Sequence, residues 1–268
     1  MAEFDRRYAQ MGASTTTQTG AVVDAGLRTY MLTVYNYMCA GLVLTGLVAY
    51  FLFTQSVTSD ASLAAKSASG VPLALKRGEF LTPLGAFLFA SPFKWVLMLA
   101  PLGMALFLGF RVFSMSVGTA QVMFWLFAAV MGVSLSTIFL VFRLGSIAQV
   151  FFITAAAFAV LSVYGYTTKK DLSGWGTFLI MGVVGLLLAM VVNIFLQSPA
   201  LQFAISCIGV LVFAALTAYD TQQIKDSYYH YVGDAAMAAK GAIMGALQLY
   251  LDFINMFQFL LNLMGDRE

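Results

Sequence analysis

Two aspartates, Asp220 and Asp252, stand inside stretches that are otherwise mostly apolar, "LVFAALTAYDTQQIK" and "GALQLYLDFINMFQF". A carboxylate at the centre of a bilayer costs roughly 2.5 to 3.5 kcal/mol on insertion scales, so neither is a neutral filler. Two carboxyls that share a site cannot both ionise cheaply, and such a pair holds a proton over some range of pH. Deprotonated, the same oxygens are hard ligands suited to calcium. The chemistry open to the two residues is proton sensing, transient cation contact, or both.

Further polar residues accompany Asp252. Gln248, Asp252, Asn255, Gln258 and Asn262 follow at steps of 4, 3, 3 and 4, which keeps them on one face of a helix. The rest of that circumference is Phe, Leu, Ile and Met with one Tyr. A helix apolar nearly all round with one polar stripe belongs inside a bundle. Its stripe either lines a pathway, with Gln248, Asn255 and Asn262 as candidates, or hydrogen-bonds to neighbouring helices.

The elements that must position these groups follow from composition. Of 268 residues 61% are hydrophobic and 10% charged, too little polar surface to cover a soluble globule. Mean hydropathy is +0.87. Spanning a bilayer takes about 20 mostly apolar residues as helix. Seven segments qualify, near 27–54, 93–113, 120–141, 147–167, 176–195, 201–224 and 240–263. The predicted fold is therefore an all-α membrane protein: a polar N-terminal tail at 1–26, one seven-helix domain at 27–264 with a long polar loop at 55–91, and a short C-terminal tail at 265–268. In the loop, "TQSVTSDASLAAKSASG" reads as flexible and "FLTPLGAFLFASPF" as an interfacial segment. The sixth and seventh spans are joined by about 15 residues that include His230, the single histidine, read as a solvated loop residue. The two aspartates come level only if the sixth helix continues through "QQIKDSYY" before turning. Pro101 predicts a kink in the second span, and Gly241 with Gly245 a close-packing GxxxG at the start of the seventh.

Other classes are set aside. A net charge of +2 with basic residues scattered singly or in pairs leaves no footprint for nucleic acid. Cys39 and Cys207 lie in apolar runs and read as small buried hydrophobes. The N-terminus lacks an apolar core followed by a cleavage site, so it reads as a tail. Lys and Arg in the loops put the N-terminus in the cytoplasm. No catalytic module, phosphate loop, paired CxxC or HExxH is present, so no enzyme and no resident cofactor is expected.

The segments "YDTQQIK" (219–225) and "LYLDFINMF" (249–257) resemble the paired signature of the Bax inhibitor 1 family, with further matches in "YGYTTKKDLSGWGTFLIMG" (164–182) and "RTYMLTVYNYMCAGLVLTG" (28–46). The resemblance covers all seven spans and points to a bacterial member in the inner membrane. It implies a central seventh helix wrapped by the other six and a pH-sensitive calcium leak. Asp220 and Asp252 would be the proton sensor and gate and a transient calcium contact, and Arg111 of the second span their electrostatic partner. Asp171 in "KKDLS" matches a motif position that helix capping explains as well. The implied partners are the bilayer, calcium and protons, and, for some bacterial members, a membrane-anchored ATP-dependent protease.

Three readings compete. An intramembrane aspartyl protease would share Tyr219-Asp220, but Asp252 stands in "YLDF" and not in GxGD. A proton-coupled transporter would use the same carboxyl pair. A non-conducting regulator binding other membrane proteins would need neither aspartate. A retinal receptor is excluded, since residues 241–264 hold no lysine.

Overall fold

The computed structural model describes the backbone of residues 2–66, 71–75 and 78–267, with side chains from residue 24 onward. Seven long helices dominate: α1 (Ala2–Ser56), α2 (Phe93–Arg111), α3 (Val117–Leu135), α4 (Leu144–Thr167), α5 (Gly176–Leu196), α6 (Pro199–Tyr231) and α7 (Ala235–Met264). All seven are long and apolar enough to cross a membrane; within α1 that part is Asp24–Ser56. The outward faces carry large bare hydrophobes, Phe110 at 85% and Phe195 at 82% exposure, surface that needs lipid.

Local chemistry explains the helix ends. Ser116, Ser198 and Asp234 stand before α3, α6 and α7, and each side chain accepts a hydrogen bond from a first-turn amide, Asp234 from both Ala236 and Met237. Pro199 follows Ser198 at a first-turn position, where its missing N–H costs nothing. Gln197 closes α5 in the left-handed region at φ 48°. Helix α2 runs unbroken through Pro101.

Helix α7 is the centre. Two thirds (67%) of its most apolar window is buried, against 11% for the α5 span. It packs on α1, α3, α4 and α6 and touches α2 lightly, while α5 lies outermost against α6. The contact with α6 is the most extensive, and small residues permit it. A side chain at Gly241 would run into the Tyr231 ring, and one at Gly245 would sit 2.9 Å from Ile224. Further along, Gly209 leaves room for Phe259, which also stacks on Phe213 at 5.8 Å.

Several expectations need correction. The α6–α7 connection is the three residues 232–234, not about 15, because α6 continues through the polar "QQIKDSYYHY" to Tyr231. Gly233, at φ 95°, takes the conformation that lets so short a turn reverse the chain. His230 therefore sits exposed in the last turn of α6, not in a loop. Described parts of the 55–91 loop pair with one another: β1 (Val57–Thr58) runs antiparallel to β2 (Phe80–Leu81), and Thr82 bonds back to Gln55 and Ser56 at the end of α1. Cys39 is exposed and Cys207 half-buried, so neither is a fully buried hydrophobe. The C-terminal tail is also held, Phe142 bridging to Arg267 and the Asp266 amide bonding Ser146 Oγ at 2.9 Å.

The glycine contacts give a direct test. Gly245→Leu should wedge α6 from α7 and cost about 1 to 3 kcal/mol. Gly185→Ala, where a side chain meets nothing within 4 Å, should be neutral or slightly stabilising. Thermal unfolding of the detergent-solubilised variants reads both.

Candidate functional site

The α6–α7 register decides where the aspartates fall. Eleven steps separate Asp220 from Tyr231 on α6, and eleven separate Gly241 from Asp252 on α7. Since Tyr231 abuts Gly241, equal rises bring the two aspartates opposite one another. Their carboxyl groups face each other across the α6–α7 contact. Asp252 is 4% exposed, and its buried Oδ2 receives no donor from any amide, hydroxyl or basic side chain among the described residues. Asp220 is half-buried and is the member closer to solvent. Ionised carboxylates only accept, so a hydrogen bond between two carboxyls requires a proton on one of them.

Polar neighbours do not solvate the pair. Thr217 and Thr221 donate back to Phe213 O and Thr217 O of their own helix, at 2.8 and 2.7 Å. Gln223 reaches Ser173 Oγ, and Lys225 donates to Tyr166 O at 3.0 Å while lying over the Tyr166 ring. Arg111 is exposed at the end of α2 and forms no ion pair among the described residues, so the structure does not bring it to the pair. For the stripe, Asn255 Nδ2 donates to Leu251 O and Asn262 Nδ2 to Gln258 O within α7. One donor of each amide is thus turned back onto the helix itself.

Residues the sequence reading did not single out hold the surroundings. Tyr250 is fully buried, and its hydroxyl bonds Thr45 Oγ1 at 2.7 Å, which in turn donates to Ala128 O, tying α7 to α1 and α3. Tyr35, Ser162 and Thr221 form a second hydroxyl chain across α1, α4 and α6, with steps of 2.6 and 3.0 Å. Gln222, two residues past Asp220, accepts from Leu172 N at 2.7 Å and donates to Lys170 O at 2.9 Å, clamping the α4–α5 loop. A polar residue in an apolar run was the available signal for Thr45 and Ser162; their partners depend on helix rotation, which spacing alone leaves open.

Toward the other end of α7 the stripe opens into a cavity of about 430 Å³ between α2, α3 and α7, lined in part by Lys94, Ser134, Thr137, Gln258 and Asn262. Gln258 lies six residues beyond Asp252, about 9 Å along the helix. The positive Lys94 in this lining turns onto the Trp95 ring, 5.7 Å from its centre.

The family model described as inhibitor of apoptosis-promoting Bax1 matches residues 27–268. The chain belongs to the Bax inhibitor family. It is 41% identical over 245 residues to the inner membrane protein YbhL of Escherichia coli K12, covering 91% of this chain and 94% of that one. It is 43% identical over its full 268 residues to a protein of Caulobacter vibrioides, also covered in full, and 41% identical over 254 residues to the Rickettsia prowazekii protein RP147, covering 95% and 96%. Within this Bax inhibitor family chain, Asp171 accepts from the Ser173 backbone N–H at 2.8 Å, and that bond holds its carboxyl below the usual carboxylate range. It closes the turn that leads into α5.

Replacing Gln222 by Met removes both bonds to the loop, each worth about 1 kcal/mol net. Amide exchange at Leu172 should accelerate by roughly tenfold or more, while Tyr250 and its neighbours on α7 keep their protection.

Proposed function

We propose that this membrane protein is a pH-sensitive calcium leak channel in which the proton shared by Asp220 and Asp252 is the gate. One observation carries the reading: two facing carboxyls sit between the two most closely packed helices, one member buried, with no basic partner among the described residues. Losing the shared proton leaves two like charges facing each other in a poorly hydrated site, which drives α6 and α7 apart or calls in a cation. Calcium takes about six to eight oxygen ligands, of which two carboxylates supply only part. Water must supply the rest, and a contact of that kind is transient, as a leak requires.

The cavity lined by Gln258 and Asn262 supports a pathway that reaches toward the pair from one side. Arg111 can act as electrostatic partner only in a state where the end of α2 has swung inward. The placement of Arg28, Lys170, Lys225 and Lys240 in or beside the ends of helices on one side supports a cytoplasmic N-terminus. The name of the Escherichia coli relative supports the inner membrane as location.

The test is calcium flux into dye-loaded liposomes between about pH 6 and about pH 8, for wild type, Asp220→Asn and Asp252→Asn. Wild-type flux should vary with pH and lose that dependence in either variant. The asparagine amide can still donate to the remaining carboxyl, so the helix contact survives. Saturable exchange in place of flux that follows the gradient would favour a proton-coupled transporter. Absence of protein-dependent flux at every pH would sink the channel and favour the non-conducting regulator.

A further inference from the structure

A groove of about 770 Å³ runs along the flank of the bundle, walled by α1 from Arg28 to Val43 and by α4 from Phe151 to Tyr166. Its floor is Phe253, buried and in ring contact with Phe151 and Phe158 at 5.3 and 5.6 Å. The groove is separate from the cavity between α2, α3 and α7. Inside it, the hydroxyls of Tyr35 and Ser162 satisfy one another at 2.6 Å, so neither asks a hydrogen bond of a guest. Outward-facing Leu32, Val43 and Val163 form its rims, which places the opening on the side of the molecule that lipid covers.

One charge stands at one end. Arg28 lines the mouth, is exposed, and forms no ion pair among the described residues; Asp24, one turn earlier on α1, does not engage it. From Arg28 to Val43 the wall rises 15 steps, about 22 Å of helix, more than half of a hydrocarbon core of about 30 Å.

We propose that this groove binds one anionic phospholipid, an acyl chain lying against Phe253 between α1 and α4 and the phosphate on the Arg28 guanidinium. The chemistry fits each part: an apolar slot open sideways to the bilayer takes a chain, and a guanidinium at its end pairs with a phosphate. A lipid seated there would touch the ring next to Asp252 in the chain and would bridge α1 to α4. The proposal stands whether or not the protein conducts.

Native mass spectrometry of the full-length protein, exchanged into detergent with equal amounts of phosphatidylglycerol or phosphatidylcholine, tests it. Wild type should retain one phosphatidylglycerol in preference to phosphatidylcholine by roughly fivefold, the factor expected of a single basic side chain near an anionic headgroup. Arg28→Ala should lose that preference. Ala159→Trp, which fills the groove from its α4 rim, should lose the retained lipid altogether. Thermal midpoints verify that the variants fold, and Val43→Trp fills the same space from α1 should Ala159→Trp prove unstable. Equal retention of the two lipids by wild type, preference surviving in Arg28→Ala, or undiminished retention in a folded groove-filled variant would each overturn the site.

Discussion

The structure depends on the register between α6 and α7. A three-residue turn fixes where the two helices begin to run side by side, and glycines at 209, 241 and 245 let them approach closely along most of their shared length. Once that register is set, Asp220 must face Asp252, since a helix cannot slip past a neighbour by less than the spacing of its side chains. A looser interface would let water reach both carboxyls and hydrate each one separately. The tightness of the hairpin and the chemistry of the pair are one constraint seen at two scales.

Around the hairpin the other helices are attached unequally. Tyr250, Thr45 and the Ala128 carbonyl tie α7 to α1 and α3 by hydrogen bonds out of water's reach, where leaving a polar group unpaired is expensive. Gln222 ties α6 to the loop ahead of α5. Helix α2 has little of this: its contact with α7 is slight, and Lys240 donating to Phe113 O pins only the segment after its end. The polar stripe of α7 opens on the side where α2 lies. Attachment is thus weakest beside the one face of the central helix that could be wetted.

Much of this architecture is legible in the amino-acid order. The seven spans follow from apolar length, and the α7 stripe from steps of three and four, because both properties belong to single helices. What a hydropathy pattern cannot carry is where a helix ends once it leaves the apolar zone. "QQIKDSYYHY" reads as a polar connection, yet its residues are acceptable helix formers and the chain coils on to Tyr231. The true stop lay in Val232-Gly233-Asp234, a glycine followed by a helix-capping aspartate. With that turn in hand the pairing of Asp220 with Asp252 becomes a matter of counting. The partners of Thr45, Ser162 and Gln222 were beyond reach, since each depends on the rotation of a second helix about its own axis. The pairing of Val57–Thr58 with Phe80–Leu81 between α1 and α2 was out of reach for another reason: it joins backbones across a separation of more than twenty residues, and backbone bonds leave no mark on side-chain composition.

The held C-terminal tail has a mechanical meaning. At one end α7 is anchored by the Gly233 turn and the Asp234 cap, and at the other the residues after it are fastened across the α3–α4 junction through Phe142, Arg143 and Ser146. A rod fixed at both ends cannot slide along its length without unfastening one of them. In this bundle α7 is the stationary shaft, and any rearrangement that changes what its polar face meets has to be made by the helices around it.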